Sequence, residues 1–378
     1  MKNSFKKVLS VCLTFCILFL FSSCNILILP TDFSSVELQY ENNDNRYYYN
    51  LLSYNGKIAY TLILNNVANH PERIEIPNLS EEELNSVFIA LSYDNPALLC
   101  FGPTSELKSE KGKHYFIPQY SSDAASCVRK TEELNEKADS ILKAVSKDMS
   151  DYEKELYIHD YICKSCVYDR NCDMSVSSTA YDALINKKTV CEGYARAAQL
   201  LLNKAGIYNY LIVGEATNSE NVTETHMWNI VSVDGKNYHL DLTWDDYDDN
   251  GKSISHTYFN VSDDMIFSNH FNFEPKRNNC IYTDNNYFVK NQIFFSDYNS
   301  SVDKQIIKQA VKNIKVGNSD VEVMFKDSKI LEKAQKSLID DSKIFTLLDT
   351  INKQSKKNYE NVSYAVDKGL NVLQFIFE

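Results

Sequence analysis

The chain has 378 residues, 39 Lys+Arg against 51 Asp+Glu, a formal net charge of −12 and 44% hydrophobic residues. That apolar share supports a substantial core, and the length suits one large domain or two to three modest ones. An acidic chain without a basic stripe repels phosphate backbones, so nucleic acid is set aside as a partner.

Residues 1–23 read as a signal peptide of lipoprotein type. Lys2, Lys6 and Lys7 precede an apolar run from Val8 to Phe21. Ser22-Ser23-Cys24 follows and resembles a bacterial lipobox, whose Cys is diacylated after cleavage. Cys24 is therefore the expected lipidation site, and the expected location is extracytoplasmic, with a lipid anchor in the cell membrane. An ordinary cleaved signal peptide is one alternative. An uncleaved anchor is another, although Ser22, Ser23 and Asn25 interrupt its apolar run. Loss of residues 1–23 removes three Lys and no acid, moving the net charge from −12 to −15.

Residues 24–45 form a polar tether, and residues 46–149 a mainly helical region. Ser80 and Glu83 make a capping box before LNSVFIAL, Asp94-Asn95-Pro96 is a turn, and LLCFG and HYFIP read as short strands. Thr131–Lys147 reads as a charged amphipathic helix. A second capping box, Ser150 and Glu153, opens a helix to about Cys163 that carries His159-Asp160. His159 with Cys163, Cys166 and Cys172 matches no standard zinc spacing, so no metal is expected. Outside Cys12, Cys16, Cys24 and Cys191, six cysteines remain: Cys100, Cys127, Cys163, Cys166, Cys172 and Cys280. They fit three disulfides or buried thiols equally well.

The stretch from Ala180 to Trp244 organises the rest. EGYARAAQLLLNKAG places Tyr194, Ala198, Leu201, Leu202 and Ala205 at helical spacing, with Gly206 as the stop. Cys191 then sits at a helix N-terminus, where free N–H groups and the helix dipole favour a thiolate. Gly193 lets other groups approach the backbone closely. HMWNIVSV and KNYHLDLTW flank Asp234-Gly235, a hairpin turn. A two-residue loop pairs Val233 with Lys236. His226 then faces Thr243, with Asp241 its diagonal neighbour at roughly 7–8 Å. Cys191, His226 and Asp241 are the types and the order of a nucleophile, a base and an orienting acid.

VCEGYARAAQLLLNKAGI, HMWNIV and YHLDLTWDD together resemble the catalytic blocks of the bacterial transglutaminase-like superfamily, over roughly residues 150–270. The resemblance implies an α+β, papain-like fold in which the Cys helix packs on an antiparallel sheet, within a catalytic core at 150–284. It implies Cys191 as nucleophile, His226 as base and Asp241 as the acid that orients the imidazole. It also implies that His159-Asp160 is structural, and that no cofactor is needed. The expected activity is thiol-mediated acyl transfer or amide and peptide hydrolysis on a protein or peptide, with cell-wall peptide and surface protein both open. A non-enzymatic extracellular binding or scaffold module on the same fold is the competing reading, and a lipoprotein solute receptor a third.

Downstream, Asp246, Asp248, Asn250 and Gly251 match half of an EF-hand loop. Position twelve is Thr257, not Glu, so a solvated turn without a calcium requirement is expected. HTYFNV reads as a strand, and Trp244 as core or as a wall of the site. Residues 285–378 read as a separate α+β unit. NYFVKNQIFF is expected as a strand pair, VDKQIIKQAVKNI as a helix, VEVMF as a strand, ILEKAQKSLIDDSKIFTLLDTI as one helix or two, and VSYAV and NVLQFIF as closing strands. The unit holds no His or Cys, so it is expected to be removable without loss of the thiol site.

Overall fold

The computed structural model describes residues 19–21, 32–40, 45–170, 178–218, 220–246, 254–274 and 279–378. Cys24, Cys172 and the loop positions Asp248, Asn250 and Gly251 lie outside them. The fold is α+β with antiparallel sheets. Among the described residues, no helix is long and apolar enough to cross a membrane.

The N-terminal region pairs helices Tyr54–Val67 and Glu81–Tyr93 with a β-hairpin, Phe101–Glu110 and Lys113–Tyr120. The strands are longer than the apolar runs suggested. The polar stretch SELKSEKGK extends the hairpin around a turn in which Lys111 (φ 50°) and Gly112 (φ 75°) both take left-handed backbone. A disulfide joins Cys100 and Cys127. It ties the start of the hairpin to helix Ala124–Leu142, which begins earlier than expected because Asp123 caps it through Ser126 N. Both capping boxes form as read, Ser80 with Glu83 and Ser150 with Glu153.

At the centre, five antiparallel strands run in the order Phe259–Val261, Lys236–Leu240, Thr223–Val233, Asn209–Thr217, His270–Glu274. The hairpin turn is Asp234 (φ 53°) and Gly235 (φ 73°), and it pairs Val233 with Lys236 as expected. Helix Cys191–Lys204 packs on this sheet, with Tyr194, Ala197, Ala198, Leu201 and Leu202 buried.

The C-terminal sheet has the order Phe294–Phe295, Asp320–Phe325, Val372–Phe377, Val362–Asp367, flanked by helices Ser300–Lys315, Ser328–Gln335 and Lys343–Ser355. The long apolar stretch is thus two helices, parted by a wide turn at Lys336–Asp340. NYFVKNQIFF is not a strand pair. Asn286 accepts from Phe288 N and Val289 N and so starts a short helix, Tyr287–Lys290, leaving only Phe294–Phe295 as strand. One continuous buried core runs from Leu134 to Phe377, while Tyr48 to Phe116 form a second. Residue 285 is therefore no packing boundary. Glu322 and Gln374 of the C-terminal sheet also reach back to His256 and to Ile254 O.

Candidate active site

Val190 is extended (φ −106°) and Cys191 is the first helical residue. The turn is tight: Gly193 N donates to Val190 O at 2.9 Å. Gly193 packs directly on Thr189, where a Cβ would fall 2.0 Å from Thr189 Oγ1 and 2.7 Å from Cγ2. Absence of a side chain therefore lets the helix start against the preceding strand. Arg196 donates to Ser92 O and Oγ at 2.5 and 2.8 Å, and Gln199 to Tyr93 O at 2.7 Å, which lashes the thiol helix to the end of helix Glu81–Tyr93. Cys191 stays partly exposed.

His226 lies mid-strand, paired with Gly214, and is buried. Its Nε2–H donates to Asp241 Oδ2 at 2.7 Å. The expected pairing of His226 with Thr243 does not form, because the ladder ends at Leu240 opposite Asn229. Asp241 instead caps the short helix Leu242–Asp245, its Oδ1 accepting from Thr243 N at 3.0 Å and Trp244 N at 3.4 Å. One carboxylate oxygen is thus spent on the backbone, which aims the other at the imidazole. With Nε2 engaged, Nδ1 is the ring nitrogen left for the thiol, and Cys191 is near enough for its sulfur to act electrostatically on this ring.

Burial on its own would lower the His226 pKa. The Asp241 carboxylate and the Cys191 sulfur outweigh it and raise the value to about 10. Asp241 is held below the usual carboxylate range: burial opposes this, but the His226 and His270 hydrogen bonds prevail. Both shifts favour the charged imidazolium–carboxylate pair. Cys163 differs. It is fully buried, which pushes its thiol up to about 12 although His159 pulls the other way.

The sequence missed one member of the cluster. His270 Nε2 lies 3.2 Å from the same Asp241 Oδ2. His226 pairs with Gly214 and His270 with Ala216, two residues along one strand, so both rings share a face of the sheet. Only the register of the last strand reveals this, and NHFNF carries no turn signal that fixes it. Trp244, weighed as core or wall, packs against the core while its ring lies 5.8 Å from His226 and 4.5 Å from His270.

His159-Asp160 sits in a separate buried network behind the site. His159 contacts Asp160 Oδ1 at 3.0 Å and Asp245 Oδ2 at 3.1 Å, and His256 bridges Asp160 Oδ1 (3.1 Å) to Glu322 Oε2 (2.9 Å). Asp160 and Glu322 together raise His256 to about 9 against the effect of burial. Among the described residues, three groups bring potential metal-ligand atoms near one another: His159/Asp160/His256, His226/Asp241/His270 and His239/Asp263/Cys280. In each, imidazole and carboxylate already bond one another, at 2.7–3.2 Å. Of the six undecided cysteines, Cys100 and Cys127 form a disulfide, and Cys163, Cys166 and Cys280 are buried and outside any disulfide.

Residues 138–242 match the Transglutaminase-like superfamily, a span that includes Cys191, His226 and Asp241. No curated protein matches the chain. Among solved structures it is similar to a protein described as a cysteine protease from Cytophaga hutchinsonii, at 20% identity and a TM-score of 0.25, over 29% of this chain and 37% of that one. A structure described as a TGase is 17% identical with a TM-score of 0.27, over 45% and 50%. A protein described as a protease from Parabacteroides distasonis is 19% identical with a TM-score of 0.23, over 35% and 29%. The chain spans half or less of each.

Proposed function

We propose that this domain is a thiol acyl-transfer enzyme acting on a carboxamide or peptide bond. The observation that carries the reading is a buried carboxylate 2.7 Å from an imidazole that also feels the sulfur of a partly exposed thiol at a helix start. The domain match over residues 138–242 is consistent with a cysteine peptidase or acyltransferase.

In the first half-reaction the Cys191 sulfur attacks the carbonyl carbon, and the oxyanion is held by backbone N–H groups at the helix start. His226, as imidazolium, gives its Nδ1 proton to the leaving nitrogen. The C–N bond breaks, leaving a thioester on Cys191 and a free amine. In the second, water or an amine attacks the thioester, His226 takes the proton, and the C–S bond breaks to restore the thiol. Water gives hydrolysis and an amine gives cross-linking. Asp241 holds the imidazole and stabilises its charged form throughout.

The enzyme is further proposed to work outside the cytoplasm, anchored through a lipid on Cys24, on a surface protein or cell-wall peptide. The Cys100–Cys127 disulfide supports an oxidising compartment. A panel of glutamine-containing and cell-wall stem peptides, incubated with hydroxylamine, tests the chemistry. Hydroxamate is expected from the native protein and not from Cys191→Ala. No hydroxamate above that variant on any peptide, together with a Cys191 no more reactive than free cysteine, rejects the enzyme in favour of a binding module.

A further inference from the structure

Four contacts lead from the orienting acid into the C-terminal sheet. Asp241 Oδ2 meets His270 Nε2 at 3.2 Å, and His270 Nδ1 meets the Asn269 side-chain amide at 2.6 Å. The other end of that amide meets Tyr258 OH at 2.6 Å, and Tyr258 OH meets Asp367 Oδ2 at 3.1 Å. Each contact needs one hydrogen. A neutral imidazole brings one, the tyrosine hydroxyl one, and the carboxamide one, because only its NH2 end donates whichever way it is turned. With both carboxylates ionised the sum is three hydrogens for four contacts.

We propose that His270 is a positioning residue for Asp241, and that the chain His270–Asn269–Tyr258–Asp367 holds one extra proton that keeps an N–H on the Asp241 face of the His270 ring. Two arrangements satisfy the count. In one, His270 is an imidazolium, its Nδ1–H donates to Asn269 Oδ1, the Asn269 NH2 donates to Tyr258, and Tyr258 donates to an ionised Asp367. In the other, Asp367 is the acid and donates to Tyr258, whose hydroxyl donates to the Asn269 oxygen. The Asn269 NH2 then donates to Nδ1, and neutral His270 presents Nε2–H to Asp241. The proton number is the same in both; only its place and the turn of the amide differ.

The surroundings favour the second. Burial lowers His270, and the facing His226, at 5.4 Å, adds to this against the pull of Asp241. Among the described residues, Tyr258 also faces the ring, at 5.6 Å, and Trp228 and Trp244 pack on it at 5.0 and 4.5 Å. Burial raises Asp367, against hydrogen bonds from the Leu370 and Gly369 backbone and from Tyr258. The C-terminal turn closes tightly on this chain, since a Cβ on Gly369 would lie 2.9 Å from Asn269 Nδ2. A sheet without His or Cys thereby reaches the candidate site through the acid that orients His226.

This rests on the proposed role of Asp241, and its test is independent of turnover. Side-chain 15N NMR of the full chain at pH 7 reads the protonation of each His270 nitrogen directly. A protonated Nε2 is expected, and a bare Nε2 with the proton on Nδ1 overturns the proposal. Cys191 alkylation at pH 6 supplies the second readout. His270→Leu loses one hydrogen bond to the Asp241 carboxylate and should slow labelling severalfold, no more than Asp241→Asn does. His270→Gln, which restores an N–H near the Nε2 position, should recover most of the loss. Equal rates for the two variants, or no slowing by Leu, rule out the positioning role. A protonated Nε2 beside an inert Cys191 would instead reject the enzymatic reading and leave the proton chain standing.

Discussion

Gly193→Ala tests whether close approach at the helix start sets the thiol. Two effects compete. Alanine is better than glycine inside a helix by roughly 1 kcal/mol. Against that, the new Cβ would sit 2.0 Å from Thr189 Oγ1, 2.7 Å from Cγ2 and 2.8 Å from Cβ. Rotating the Thr189 side chain cannot relieve contact with its own Cβ, and Thr189 is itself fully buried. The helix must therefore move off the Lys188–Thr189 strand by about an ångström to reach normal contact. Overpacking of this kind costs roughly 1–3 kcal/mol, which exceeds the propensity gain. An ångström of displacement at a reacting centre is worth up to about a hundredfold in rate. Guanidinium denaturation should show a net loss of stability, and alkylation of Cys191 at pH 6 should slow by at least tenfold. Thr189→Gly removes all three clashing atoms, so the double variant should recover reactivity relative to Gly193→Ala alone. A Gly193→Ala protein that is more stable than the native one and equally reactive would refute the reasoning.

Glu155 is fully buried with one oxygen bonded to Asn260 Nδ2 at 2.7 Å, and burial raises its pKa from 4.5 to about 8 despite that bond. Between those values the folded chain keeps a proton that the unfolded chain loses, so stability falls as pH rises through that window. Glu155→Gln should remove the loss, gaining a few kcal/mol at pH 9 but little at pH 5, at about 1.36 kcal/mol per unit; an unchanged pH dependence in denaturation would contradict this. A chain ending at residue 284 would strip the core of Val321, Val323, Leu373 and Phe375 and leave His256 without Glu322. It should lose its cooperative melting transition and the selective labelling of Cys191, and retention of both would show that the sheet is dispensable. Fatty-acid labelling in cells should be lost in Cys24→Ala, and equal labelling of both proteins would remove the anchor.

Local signals carried most of the site. The Ala- and Leu-rich helix after Cys191 and the Asp-Gly turn that pairs Val233 with Lys236 follow from short-range chemistry, so Cys191 and His226 were readable. Asp241 was readable as a residue but not as a geometry. The sequence continues as if it were strand, and only the cap it forms with Thr243 N and Trp244 N shows why the ladder stops. His270, Tyr258 and Asp367 were hidden because their meeting depends on the register of a distant strand and on a turn from another sheet. The continuity of the core past residue 284 was hidden for a similar reason. Composition marks which residues are apolar, not which neighbours they share. In NYFVKNQIFF the β-type residues were outweighed by Asn286, whose side chain caps a helix instead.

The central claim is that His226, held by Asp241, makes the Cys191 thiol a nucleophile. Brief iodoacetamide treatment of the folded protein at pH 6, read by peptide mass spectrometry, tests it most directly. Cys191 should label well ahead of Cys163, Cys166 and Cys280, which are buried. His226→Ala should slow the labelling by roughly tenfold or more, since each pKa unit of lost stabilisation is about 1.36 kcal/mol. Asp241→Asn should slow it less, because the imidazole remains but is poorly held. A Cys191 that is accessible yet labels no faster than free cysteine at that pH, and is indifferent to His226→Ala, would contradict the account.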